Sequence, residues 1–479
     1  MLFFGMTFLF LGISIAPSIA IENLKKSSIP ISSGNTLYVG GSGEGNYSKI
    51  QDAIDNATDG DTVFVYNGTY YENIETEKSI NLIGENRETT VIDGGGYHFV
   101  VSFRNMYLAE YVSVQEFTIQ NGRTGITYDT GINNLNKTTH LISPIHTSSG
   151  GFSNNIIINN EIGISIGWRS ENIYIVGNNF FNNSKGINLD TTSWYNGIFN
   201  NFISENNYGI CADGSLFNFI SENIITLNKN DGMYFRSYCD SNEIKNNIIC
   251  NNNNGIFFDY NCSGNIISDN NISSNEQKGI VINHSNSNII EDNILIKNSM
   301  GIYLYYSSYN QIKNNYISNQ KHDAAIRLYY LCNKNTVNFN ILSNNEVGLI
   351  LFRSLQNNIT GNKFSENAYG LYMYEESKYN MISRNIFKNR YYGIIVGNPI
   401  LLTLSINDFL DGSNFNKIIN NNFCITQNEH AIFDGCWKNI WKQNYWGRPR
   451  VLPKIIYGGI FLFPFYNIDW HPAKEPYEI

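Results

Sequence analysis

Glycine returns at residues 163, 186, 209, 232, 255, 279, 301, 348, 370 and 393, each time followed by Ile, Leu or Met, and Ala325 fills the one vacant place. Successive places lie 22 to 24 residues apart. A unit of that length cannot bury a core by itself, so the chain is constrained to a stack of like units. Leucine-rich repeats share the period, but their Leu-x-x-Leu-x-Leu pattern is missing. Within each unit, as in "NNFISENNYGICAD" and "NNIICNNNNGIFFD", short runs alternate with period two and are separated by polar triplets. Alternation, β-branched and aromatic residues and the lack of helical periodicity give about three short strands per unit. The expected fold is all-β, a right-handed parallel β-helix whose coils of about 23 residues stack about 4.8 Å apart.

The asparagines then find a use. One recurs eight residues before the glycine, at Asn178, Asn201, Asn247, Asn271, Asn293, Asn340, Asn362 and Asn385, and stacked coils would align these amides in a hydrogen-bonded column. Asparagine also tolerates the left-handed backbone of sharp corners, and glycine is expected to relieve the same constraint at another corner. Positions one and three beyond the glycine are apolar (Ile187 and Leu189, Ile256 and Phe258, Ile302 and Leu304, Leu371 and Met373) and should point inward. At position seven stand Ser170, Ser193, Cys239, Cys262, Ser308, Cys332 and Ser377, broken by Leu216, Asn286 and Leu355. That column reads as stacked small side chains. Cys239 and Cys262, in adjacent coils, fit either a disulfide or two reduced members of the stack. Cys424 and Cys436 are a second candidate pair among seven cysteines, an odd number.

Position four points outward and reads Gly167, Asp190, Asp213, Arg236, Asp259, Asn283, Tyr305, Tyr329, Phe352, Tyr374. Position two adds Tyr234, Phe257, Tyr303 and Tyr372 to the same face. Asp190, Asp213 and Asp259 are the oxygen ligands a calcium ion would take, and Arg236 between them suits a sugar carboxylate or a developing charge. If the column catalyses, Asp190, Asp213, Arg236 and Asp259 are its candidates. Tyr234, Phe257, Tyr303, Tyr305, Tyr329, Phe352 and Tyr374 are the candidate ligand-binding surface, since aromatic rings suit sugar rings. The same pattern also fits a purely structural column, because Asp caps turns and cross-strand aromatics stabilise sheets.

Composition narrows the partners. With 42% hydrophobic and 14% aromatic residues the chain is ordered, and its formal charge of −9 argues against nucleic acid. Residues 1–20 form an apolar run ending in small residues and are read as a signal peptide or anchor. Lys25 and Lys26 follow the run, and no Lys or Arg precedes it. Together with nine Asn-X-Ser/Thr sequons this gives a secreted or cell-surface location, on the periplasmic side of an envelope, with polysaccharide or glycan as partner and envelope association expected. The remaining chain divides into 36–127 (an N-terminal capping helix and first coils), 128–152 (an inserted loop or hairpin), 153–432 (regular coils) and 433–479 (an aromatic C-terminal cap).

The stretch "GEGNYSKIQDAIDNATDGDTVFVYNGTYYENI" resembles the opening of pectin-lyase-like β-helix proteins, with an amphipathic helix from Tyr47 to Ala57 turning Ile50, Ala53, Ile54 and Ala57 inward. With the repeats and "NIWKQNYWGRPR", the chain resembles the NosD-type subgroup, the carbohydrate-binding and sugar-hydrolase (CASH) β-helices. The resemblance implies polysaccharide binding, or a calcium-assisted lyase, although the Tyr-Gly-x-Asp-Pro-His signature of alginate epimerases is absent. It also implies a NosD-like copper accessory role. Copper is not expected, because the histidines are scattered, with only His140 and His146 close together and no Cys or Met beside them. A structural envelope or adhesion protein is the remaining alternative.

Overall fold

A computed structural model describes residues 34–96, 98–104, 106, 111–130, 149–167, 169–397, 412–424, 430–436, 438–460 and 463–479. Residues 1–20, most of the insertion at 128–152, His140, His146 and Trp437 lie outside them. The chain forms two compact units, Met1–Phe202 with Ser215–Ile220, and Ile203–Gly214 with Ser221–Ile479. Each is a parallel β-helix whose coils add one strand to each of three sheets. In the second unit, for example, Glu243–Lys245, Ile248–Cys250 and Ile256–Asp259 pair with Ile266–Ser268, Asn271–Ser273 and Lys278–Asn283 of the next coil. The sheet carrying the recurrent glycine is here called the glycine sheet.

The alternation works as expected. Ile187, Leu189, Ile256, Phe258, Ile302, Leu304, Leu371 and Met373 are all fully buried. Each fully buried large apolar side chain contributes roughly 1.5–3 kcal/mol. Phenylalanines add an internal stack: Phe364–Phe387–Phe423–Trp446, with centroids 4.7, 5.1 and 4.4 Å apart.

The glycines serve space rather than torsion, which corrects the expectation. Gly232 and Gly255 do not have positive φ; a Cβ there would lie 2.8 and 2.5 Å from the carbonyl oxygen of the next glycine, Gly255 and Gly279. At Gly232 and Gly255 the sheet closes too tightly for a side chain, whereas the Ala325 coil accommodates a buried methyl group.

Three asparagine ladders line the second unit, one at each corner. The first runs Asn223, Asn247, Asn270, Asn293, Asn315, Asn340, Asn362, Asn385, Asn421 and Asn444, each donating its backbone N–H to the side-chain oxygen of the next. Asn270, not Asn271, is the member in its coil; Asn271 is exposed. The extra residue of a 24-residue coil falls between it and Gly279. The residues in left-handed backbone are the immediate predecessors, such as Asn246, Asp269 and Asn314, rather than the ladder asparagines. Similar slips explain the breaks in the small-residue column: Ser215, Ser285, Ser307 and Ser354 stand in it, all buried, and Cys262, Ser285 and Ser354 donate N–H to the Ser285, Ser307 and Ser377 hydroxyls. Cys239 and Cys262 are buried thiols in this stack.

In the first unit a helix spans Ile50–Asn56, shorter than expected, with Ile50, Ala53 and Ile54 buried. It packs on strands Thr36–Val39, Thr62–Val65 and Ile74–Thr76. Glu72 accepts the N–H of Ile50 and of Gln51 at 2.9 and 3.0 Å, capping the helix from a distance. In the second unit the segment expected as a cap forms an antiparallel hairpin, Lys454–Ile460 with Phe463–Asp469, whose first strand pairs in parallel with Ala431–Asp434. Trp441 and Trp446, of the aromatic cap, are buried; Trp470 is exposed. A second insertion was missed: ladder partners Asn385 and Asn421 are 36 residues apart.

Candidate functional site

The outward column is real in the second unit. Backbone register pairs Asp213 with Arg236, Arg236 with Asp259, Asp259 with Asn283, Asn283 with Tyr305, Tyr305 with Tyr329, Tyr329 with Phe352 and Phe352 with Tyr374. Position two is less continuous: Tyr234 pairs with Phe257, but Val281, Arg327 and Ile350 separate Tyr303 and Tyr372 from it and from each other. Asp190 belongs to the first unit, where its carboxylate is exposed and accepts the N–H of Thr191 at 2.9 Å, a turn-capping contact.

Asp259 is held at both oxygens. Tyr234 donates its hydroxyl to Oδ2 at 3.3 Å and Asn283 donates Nδ2 to Oδ1 at 2.6 Å. Asn283 Oδ1 in turn lies 2.8 Å from His284 Nδ1. Burial, and then the Asp259 charge, push the Tyr234 phenol up to about 12, so it stays a donor throughout the physiological range. Arg236 is exposed and, among the described residues, has no ion-pair partner.

A second aromatic column stands beside the first, one residue further along each coil: Tyr260, His284, Tyr306 and Tyr330. Neighbouring rings are 5.0, 4.9 and 5.9 Å apart and within 14° of parallel. The Arg353 guanidinium lies 5.4 Å from the Tyr330 ring and pairs with Glu375 at 3.2 Å. The two columns meet edge to face, at 88° for Tyr305 with Tyr306 and 83° for Tyr329 with Tyr330. The first column is itself stacked, with Tyr305–Tyr329 and Tyr329–Phe352 inclined by 24° and 23°. Interior rings therefore cover one another's faces and offer a ligand mainly their edges.

Among the described residues no three His, Cys, Asp or Glu side chains form a group that could hold a metal ion. Asp213 and Asp259 are two coils apart, about 9.6 Å at the usual strand spacing, with Arg236 between them.

A family model for the right-handed β-helix region matches residues 145–295 and 263–423, together more than half of the sequence. The chain belongs to the right-handed β-helix family. None of the curated proteins matches it. Similar solved structures include the mannuronan C-5 epimerase AlgE6 A-module of Azotobacter vinelandii, at 14% identity over 82% of this chain and 94% of that one, TM-score 0.38. A DFA-IIIase of Arthrobacter chlorophenolicus A6 in complex with DFA-III is similar at 12% identity over 84% and 95%, TM-score 0.41. The Dettilon tailspike protein is similar at 13% over 70% and 62%, TM-score 0.41. Likeness at this level is one of coiled backbone path and says nothing about the site.

This β-helix also carries a buried carboxylate that sequence reasoning did not single out. Asp231, just before the glycine, is 6% exposed and accepts Asn254 Nδ2 at 2.8 Å. Burial raises its pKa, opposed by Asn254 and Lys278. A carboxyl with a raised folded pKa loses stability as pH rises through the window between its unfolded and folded values, and the deficit persists at neutral pH. Asp231→Asn is expected to stabilise the protein at pH 7 by about 1 kcal/mol, with the gain fading in acid as the wild-type carboxyl protonates. Thermal melts of both proteins at pH 7 and in acid would check this; a destabilised or pH-independent variant would contradict it.

Proposed function

We propose that this β-helix binds polysaccharide along the outer face of its glycine sheet, without turnover, as a secreted or cell-surface protein. The observation that carries the reading is the unbroken register from Asp213 through Arg236 and Asp259 to Tyr374. Hydroxyl-rich chains are recognised by fixed acceptors and donors beside partly apolar rings, and here all three line one straight edge. The held carboxylate of Asp259 favours recognition, since a fixed acceptor costs little ordering on binding. The location is supported by the apolar segment 1–20 and by sequons at exposed Asn182, Asn261, Asn271 and Asn358.

The test is a glycan array probed with wild type and with an Arg236→Ala, Asp213→Ala double variant. Wild type is expected to bind at least one glycan class, and the variant to lose that signal by about tenfold or more. No binding, or equal binding by both, would refute the reading. Appearance of unsaturated-uronate absorbance would replace binding by lyase chemistry.

A further inference from the structure

We infer that the sugar contact is concentrated where the charged and aromatic parts of the face meet, at Arg236, Asp259 and Tyr260, and that this subsite takes a neutral pyranose ring. The inference rests on the glycan-binding reading above and sharpens its substrate class.

The aromatic ladder decides the place. A sugar ring is held by an aromatic face, through its apolar C–H side. In the column Tyr330, Tyr306, His284, Tyr260 the inner rings are sandwiched, and Tyr330 has Arg353 over it. The stack ends at Tyr260, which is 53% exposed. The corner residue of the preceding coil is Ser237, whose N–H bonds to the Asp259 carbonyl. A serine side chain is too small to cover a phenol ring, so Tyr260 keeps one face open. Arg236 immediately precedes Ser237, and Asp259 immediately precedes Tyr260.

The polar groups decide the class. Asp213, Arg236 and Asp259 in register carry one positive and two negative charges, in a chain of formal charge −9. That balance repels a uronate. It suits a neutral ring, whose adjacent hydroxyls can donate to a carboxylate and accept from a guanidinium. Asp259 is ready for this: each oxygen spends one lone pair on Tyr234 or Asn283 and keeps another.

The experiment compares Tyr260→Asn with Tyr330→Asn on an array of neutral hexose and N-acetylhexosamine oligosaccharides beside uronate oligosaccharides. Both tyrosines have positive φ, at 56° in each case, and asparagine tolerates that backbone, so the two variants perturb the coil alike. Thermal melts confirm that both fold, and Tyr260→Phe, which keeps the ring, serves as the conservative variant. The expected result is binding of neutral oligosaccharides by wild type, a loss of about tenfold or more in Tyr260→Asn, and retention in Tyr330→Asn and Tyr260→Phe. Preference for uronates, or a loss in Tyr330→Asn but not Tyr260→Asn, overturns the subsite while leaving glycan binding intact. Binding to nothing on the array overturns the glycan reading itself.

Discussion

Replacing Asp469 with alanine is expected to remove about 3–5 kcal/mol from the second unit, because each stranded buried donor costs about 1–3 kcal/mol. Asp469 is fully buried. Its Oδ2 accepts the Asn444 N–H at 2.9 Å, Asn444 Nδ2 at 3.2 Å and the Trp446 Nε1–H at 3.1 Å; its Oδ1 accepts the N–H of Gln443 and of His471. The direction of the ladder explains the residue. Every asparagine donates to the next and accepts from the one before, so the last rung must accept and has no further rung to receive a donation. An ionised carboxylate does that and nothing else. Asp469→Asn should be milder, since one carbonyl oxygen survives while the amide hydrogens face the other donors. Solenoids melt locally, so hydrogen exchange across 440–446 is the sensitive measurement, with denaturant unfolding beside it. A variant that matches wild type in both would show that water or the neighbouring hairpin replaces the carboxylate.

The β-helix was legible because its landmark is steric. No side chain fits where Gly232 and Gly255 meet the next coil, so the period survives in the sequence even where other positions drift. Counting from that one landmark is also where the reading slipped. Coils of 22 or 24 residues place their odd residue between landmarks, so Asn271 stood in for Asn270 and Ser308 for Ser307. The two other asparagine ladders, such as Asn228–Asn252–Asn275 and Asn242–Asn265–Asn288, were in the sequence but lay between the counted columns. Beyond Gly393 no further glycine kept the count, and the insertion before Asn421 went unseen.

The candidate site was half legible for a different reason. Asp213, Arg236 and Asp259 follow from strand alternation, and the register bears that out. Alternation then says that the next residue turns inward. At Tyr260, His284, Tyr306 and Tyr330 it does not, because each has positive φ, between 46° and 56°, and the left-handed residue swings its side chain outward at the corner. The second aromatic column is therefore a product of backbone torsions that strand periodicity does not encode. Asp190 accepts the N–H of the following residue, a contact that depends on a rotamer and not on position in the repeat.

A rung in the middle of a ladder sharpens the contrast with Asp469. Asn288 Oδ1 accepts the Asn265 N–H at 2.9 Å and Asn265 Nδ2 at 3.0 Å, while its own Nδ2 donates to the Cys262 carbonyl at 3.0 Å and to Asn310 Oδ1 at 3.2 Å. Asn288→Leu strands all of these groups in a fully buried corner and is expected to cost about 3–5 kcal/mol. Asn288→Asp keeps the accepting half but sets a carboxylate against two acceptors, so at pH 7 it should be about as damaging. Its pKa in the folded state would be raised by burial and by those acceptors. Stability should then return as pH falls through that value, because a protonated carboxyl can donate one of the lost bonds. Denaturant unfolding of wild type, Asn288→Leu and Asn288→Asp at pH 7 and pH 4 reads the difference: the gap between the Asp and Leu variants opens only in acid. An aspartate as well tolerated as asparagine at pH 7 would mean that donation along the ladder contributes little, and the conversion of Asn to Asp at its end would then need another cause.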